Sequence, residues 1–103
     1  MNELVIKKNG IPVASQRSLS KMSKNDEKSI QDLIVKYKTD LEKFGLLIFD
    51  TIKTNGRPKK LYYLNEQQSY LFITFLKNTQ VVKQFKIALI DEFFKMKYSQ
   101  VSI

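Results

Sequence analysis

The chain contains neither cysteine nor histidine. Lacking cysteine, it has no disulfide and no thiolate nucleophile. Lacking histidine, it is missing the commonest metal ligand and the usual general base near neutral pH. No run of 18 apolar residues occurs, and the N-terminus lacks the charged-then-apolar pattern of a secretory signal. The expected location is therefore the cytoplasm, with no membrane partner. No glycine-rich phosphate loop and no close group of carboxylates is present either, and Asp91-Glu92 reads as the polar face of a helix. The expectation is a protein that is not an enzyme, with no cofactor, no metal and no small-molecule substrate.

Acidic residues are also scarce. Ten Asp and Glu face eighteen Lys and Arg, a net charge of +8 over 103 residues. An excess of this size favours nucleic acid or an anionic surface as partner. A lysine-rich composition alone produces the same surplus, so the positions of the charges carry more information than their sum. The length fits one domain, and 43% hydrophobic residues suffice for a small core.

Asn9-Gly10 lies between the apolar runs Leu4–Ile6 and Ile11–Val13, the pattern of a tight hairpin, because both residues tolerate positive φ. Pro12 has no amide to donate and belongs at a strand end or edge. Ser15 is placed to cap a short helix from Gln16 to Met22, with Leu19 and Met22 facing inward. A polar turn, Ser23-Lys24-Asn25, follows. Asn25 is then expected to cap a longer helix running to Gly45, with Ile30, Leu33, Ile34, Tyr37, Leu41 and Phe44 on one face. A short helix, a three-residue turn and a longer helix form a helix-turn-helix, whose second helix enters the major groove with its first turn. Lys24, Asn25, Lys28 and Ser29 would sit there, supported by Gln16, Arg17 and Lys21 from the first helix. Asp26, Glu27 and Asp32 would meet phosphate repulsion in that position, and an ordinary solvated helix face fits the same spacing.

Leu46–Lys53 reads as a strand, Thr54-Asn55-Gly56-Arg57 as a second Asn-Gly turn, and Lys59–Leu64 as the return strand. Lys53, Arg57, Lys59 and Lys60 surround this tip, with no acid between Thr51 and Asn65. Uncompensated cations on a hairpin beside a helix-turn-helix suit a wing that grips phosphates. Asn65 and Gln68 then have capping-box spacing, followed by an apolar helix, a Lys77-Asn78-Thr79 joint and a last helix capped by Thr79. That helix carries a stripe at Val82, Phe85, Leu89, Phe93 and Met96, spaced 3, 4, 4 and 3. Val81, Ile87, Ile90 and Phe94 give it a second apolar side, so Phe85, Ile87, Leu89, Ile90, Phe93 and Phe94 are expected to form a homodimer interface.

The stretch LNEQQSYLFITFLKNTQVVKQFKIALIDEFFKM resembles the C-terminal part of the phage regulatory proteins of the Rha family. The family pattern is an LNE-type cap, an apolar helix, an Asn-Thr joint and V-x-x-F-K-x-x-L-x-x-x-F. It falls on Leu64, Asn65, Glu66, Asn78, Thr79, Val82, Phe85, Lys86, Leu89 and Phe93. SQRSLSKMSKNDEKSIQDLIVKYKTDLEKFG is similar, more loosely, to the family's short and longer helices, with V/I-x-x-L/I on Ile30 and Leu33. Many members carry a histidine shortly before the longer helix, and this chain has none. The resemblance implies a phage or prophage regulator that binds double-stranded DNA in a bacterial host cell. The combined expectation is one α+β, winged-helix-like domain over 1–103: an N-terminal hairpin at 1–14, a helix-turn-helix at 15–45, a wing hairpin at 46–64 and a helical pair at 65–98. A small phage protein that inhibits a host protein through its apolar last helix is the competing reading.

Overall fold

The structure, a computed structural model, describes residues 4–98. Residues 1–3 and 99–103 of the expected unit lie outside the described residues. The chain begins with the antiparallel strands β1 (Ile6–Lys8) and β2 (Ile11–Ser15), joined through Asn9 at φ 54° and Gly10 at φ 79°. Helices α1 (Gln16–Ser23) and α2 (Glu27–Lys36) follow, then a single turn α3 (Lys38–Leu41) and a 3-10 turn (Glu42–Phe44). Strands β3 (Ile48–Ile52) and β4 (Lys59–Asn65) lead to α4 (Glu66–Ile73) and the long α5 (Gln80–Tyr98). The result is α+β and winged-helix-like. The two hairpins do not stay apart: β4 pairs with β2, giving one antiparallel sheet in the order β1-β2-β4-β3.

Three expectations need correction. The longer helix does not run unbroken to Gly45; it breaks at Tyr37 (φ −106°, ψ 23°), whose ring stacks on Phe75 with centroids 4.1 Å apart. Phe44, past that break, is exposed rather than on the inward face. The second Asn-Gly is not a tight turn like the first, because residues 53–58 form a wider loop in which Gly56 does not take a positive φ. Thr54 closes that loop, accepting from the Gly56 amide at 3.2 Å and donating to the Arg57 carbonyl at 2.7 Å. Pro58 lacks an amide and holds Arg57 away from helical backbone, so the ladder begins again only at Lys59.

One face of the sheet, with Ala14, Tyr62 and Leu64, packs on Leu19, Ile30, Ile34, Leu41, Phe72, Phe85, Leu89 and Phe93. Burying side chains of this size contributes about 1.5–3 kcal/mol each before entropy is counted. The segment from Leu41 to Gly45 is tied to α4 and its cap by polar side chains. Gln68 and Asn65 form the expected capping box, and Gln68 Nε2 also donates to the carbonyls of Leu41 (3.3 Å) and Gly45 (2.7 Å). Asn65 Nδ2 donates to the Phe44 carbonyl at 2.9 Å. Gly45 sits at φ 126°, and a Cβ there would meet Asn65 Nδ2 at 3.3 Å.

The other face of the sheet carries Val13, Leu61 and Tyr63, flanked by Ile6, Ile48 and Ile52. It also joins both outer strands through one carboxylate. Tyr63 Oη donates to Asp50 Oδ2 at 2.7 Å and Lys8 Nζ to the same oxygen at 3.2 Å. Those two hydrogen bonds, Tyr63 first, hold the Asp50 carboxyl below its ordinary 3.8. The folded protein thus binds this proton less readily than the unfolded chain, so the stabilisation is present above 3.8 and fades as pH falls through the lower folded value. The stability gap between wild type and Asp50→Asn should therefore be widest near neutrality and narrow below pH 3.8. Thermal melts from pH 7 down to about pH 2.5 check this; a gap constant with pH would refute it.

Candidate nucleic-acid interface

Helix α1 starts where the Ser15 hydroxyl accepts the Ser18 amide at 3.1 Å. Pairing of β2 with β4 ends at Ser15↔Tyr63, and the next residue, Gln16, continues it with its side chain: Oε1 accepts the Tyr62 amide at 3.2 Å. Gln16 is fully buried, so the expectation that it touches nucleic acid is corrected: it completes a strand. Arg17 and Lys21 are exposed on α1. The turn is built by its own polar groups. Lys24 takes φ 61°, the Asn25 carbonyl accepts from Ser20 Oγ at 2.6 Å, and Asn25 Nδ2 donates to Ser23 Oγ at 3.1 Å.

The cap of α2 is Asp26, not Asn25. Its Oδ1 accepts the Ser29 amide at 2.7 Å, and that bond holds the carboxyl below its ordinary value. A charged acceptor gains more from the positive end of a helix than an amide oxygen does, which favours the later start. Lys28 and Ser29 are exposed on the first turn, Lys28 facing Asp32 at 3.9 Å. Of the three acids that argued against this surface, Asp26 is engaged by a backbone amide and Asp32 by Lys28.

Glu27 is engaged by two elements. Arg17 Nε of α1 lies 3.9 Å from its Oε2, and Lys59 Nζ of β4 lies 3.7 Å from its Oε1. Helices α1 and α2 and the start of β4 therefore meet on one carboxylate. The Lys60 ammonium instead lies 4.5 Å from the centre of the Phe49 ring. Among the described residues Lys53 and Arg57 have no ion-pair partner, and both are exposed. Of the four hairpin cations, Lys59 is thus compensated by an acid from 32 positions earlier, a pairing that local sequence does not reveal.

The predicted dimer residues separate into two sets. Phe85, Leu89 and Phe93 face the chain's own core, whereas Ile87, Ile90 and Phe94 are exposed on the opposite side of α5. Tyr98 extends that exposed side, its ring 4.5 Å from Phe94, and was not anticipated. Among the described residues there is no cluster suited to a metal ion, and no helix is long and apolar enough to cross a membrane.

Neither the curated proteins nor the solved structures contain a match to this chain. The model of one family, described as phage regulatory protein Rha, matches residues 14–98, which span α1, α2, the hairpin of β3 and β4 and the helices α4 and α5. The chain belongs to the family of phage regulatory protein Rha.

Proposed function

We propose that this phage regulatory protein is a transcriptional regulator that binds double-stranded DNA. The first turn of α2 reads base edges in the major groove, and the loop at 53–58 grips the neighbouring backbone. The observation that carries this reading is the meeting of α1, α2 and β4 on Glu27, which joins the two basic elements into one surface. Lys24, Asn25, Lys28 and Ser29 present the groups for the groove, flanked by the exposed cations Arg17 and Lys21 of α1, Lys53 and Arg57 of the loop and Lys59 and Lys60 of β4. Lys28 and Ser29 suit base contact best: both are exposed on the first turn, Lys28 opposite Asp32 and Ser29 beside Asp26, whereas Asn25 is half-buried with its side chain tied back to Ser23.

The test is selection of bound fragments from randomised DNA at two salt concentrations. A preferred site should emerge, and affinity should fall steeply with salt. Lys28→Ala and Ser29→Ala should each cost about 1–3 kcal/mol at one or two positions of that site while random-sequence affinity falls less. Unchanged base preference in both variants would remove α2 as the reader.

The exposed side of α5 supports a homodimer, which would pair two half-sites. Phe94→Glu should then yield a folded monomer by sedimentation at micromolar concentration, still melting cooperatively but at a lower temperature than the dimer, because Phe94 is exposed in the single chain and buried only by the partner. A monomeric wild type would overturn this. The same surface supports the competing reading, capture of a host protein, whose largely apolar contact would resist salt where DNA binding would not.

A further inference from the structure

Glu27 is bracketed by a guanidinium from α1 and an ammonium from β4, on the first turn of α2. The distances, 3.9 and 3.7 Å, exceed those of charge-assisted hydrogen bonds, about 2.7–2.9 Å. Oε1 is shielded from solvent and has no hydrogen-bond partner within the protein. The two cations are therefore held by charge alone and keep substantial exposure, 59% for Arg17 and 42% for Lys59. An oxyanion between an Arg and a Lys at a helix start is also how a nucleic-acid phosphate would be held.

Building on the DNA-binding reading above, we propose that Glu27 is a specificity-determining residue: it occupies the place of a backbone phosphate between Arg17 and Lys59. Random DNA offers its phosphates without the matching base edges, so it gains these two cations only by displacing an anion already in place. A preferred site adds base contacts that hold α2 and the wing against the duplex while Arg17 and Lys59 stay on Glu27. Masking two cations thereby lowers non-specific binding more than specific binding.

The experiment compares wild type with Glu27→Gln on a random-sequence duplex and on the selected site across a salt series. Glutamine keeps the shape of the side chain and a hydrogen-bonding oxygen, and a thermal melt verifies the fold. Releasing two cations should steepen the log–log salt slope on random DNA by about one to two and raise affinity about tenfold or more near physiological salt. Discrimination between the two duplexes should fall. Adding Arg17→Gln and Lys59→Gln to the Glu27→Gln protein should abolish the gain. Asp91→Asn on α5 makes the same change in net charge away from the interface and should leave binding near wild type. If wild type binds DNA and Glu27→Gln shows equal or weaker random-DNA affinity, or if the gain survives loss of both cations, the masking role falls and the DNA-binding reading stands. If neither protein binds DNA, both fall. Binding by Glu27→Gln alone supports the masking role and overturns DNA binding by the natural chain.

Discussion

Replacing Lys53, Arg57 and Lys60 together with alanine should weaken duplex binding about a hundredfold at about 0.15 M salt, without unfolding the protein. Each cation that neutralises a phosphate releases a counterion, adding about 0.9 to the log–log salt slope, and three such contacts at this salt amount to roughly two orders of magnitude. Lys53 and Arg57 are exposed on the loop with no ion-pair partner among the described residues, so their loss should change stability by no more than about half a kcal/mol each. Lys60 lies over Phe49, and its loss removes a cation–π contact of about 0.5–1 kcal/mol at an exposed site. Lys59 is left in place because its charge already faces Glu27. The checks are salt-dependent titrations with labelled duplex alongside thermal melts. A slope unchanged in the triple variant would remove the wing from the interface.

How much was legible depended on whether a feature is local. Asn9-Gly10 announced the first hairpin because its two positive φ values are a property of those residues. The capping box of Asn65 and Gln68, the Ser15 cap and the inward stripe of α5 likewise follow from spacing. Asn55-Gly56 misled because Pro58, two residues on, interrupts the ladder and widens the loop. The capping of α2 misled because Asn25 and Asp26 are both good caps, and only the turn geometry decides between them: Asn25 is drawn back to Ser23.

The candidate site was legible as a list of cations but not as an arrangement. Gln16 has the side chain of a base reader, yet whether it reads bases or completes β4 depends on where β2 ends. Glu27 reads locally as an acid that repels DNA; its partners Arg17 and Lys59 lie ten positions before it and thirty-two after. The two apolar sides of α5 were visible from their spacing. Which of them the chain covers for itself was decided by the packing of α1, α4 and the sheet.

Gln68→Ala should be the most damaging single polar substitution, lowering stability by roughly 2–4 kcal/mol. Gln68 is 1% exposed, and its side chain serves three backbone groups on three segments: the Asn65 amide at 3.0 Å, the Leu41 carbonyl and the Gly45 carbonyl. An alanine leaves all three without this partner, and each buried group so orphaned costs about 1–3 kcal/mol. Water reaching the Gly45 side recovers part of that, because Gly45 is itself exposed, which keeps the total below the simple sum. The carbonyls concerned close the last turns after α2, just before β3 opens the second hairpin. Loss of Gln68 should therefore also loosen the wing against α2 and reduce discrimination between a preferred site and random DNA. A urea titration measures the stability change as a lower midpoint with the same slope. Gln68→Glu separates hydrogen bonding from shape: it keeps the volume and the acceptor for the Asn65 amide, but turns a carboxylate oxygen toward two carbonyls. It should be at least as destabilising as alanine at pH 7. A loss below about 1 kcal/mol in Gln68→Ala would show that α4 holds the turns from Leu41 to Gly45 by apolar packing alone.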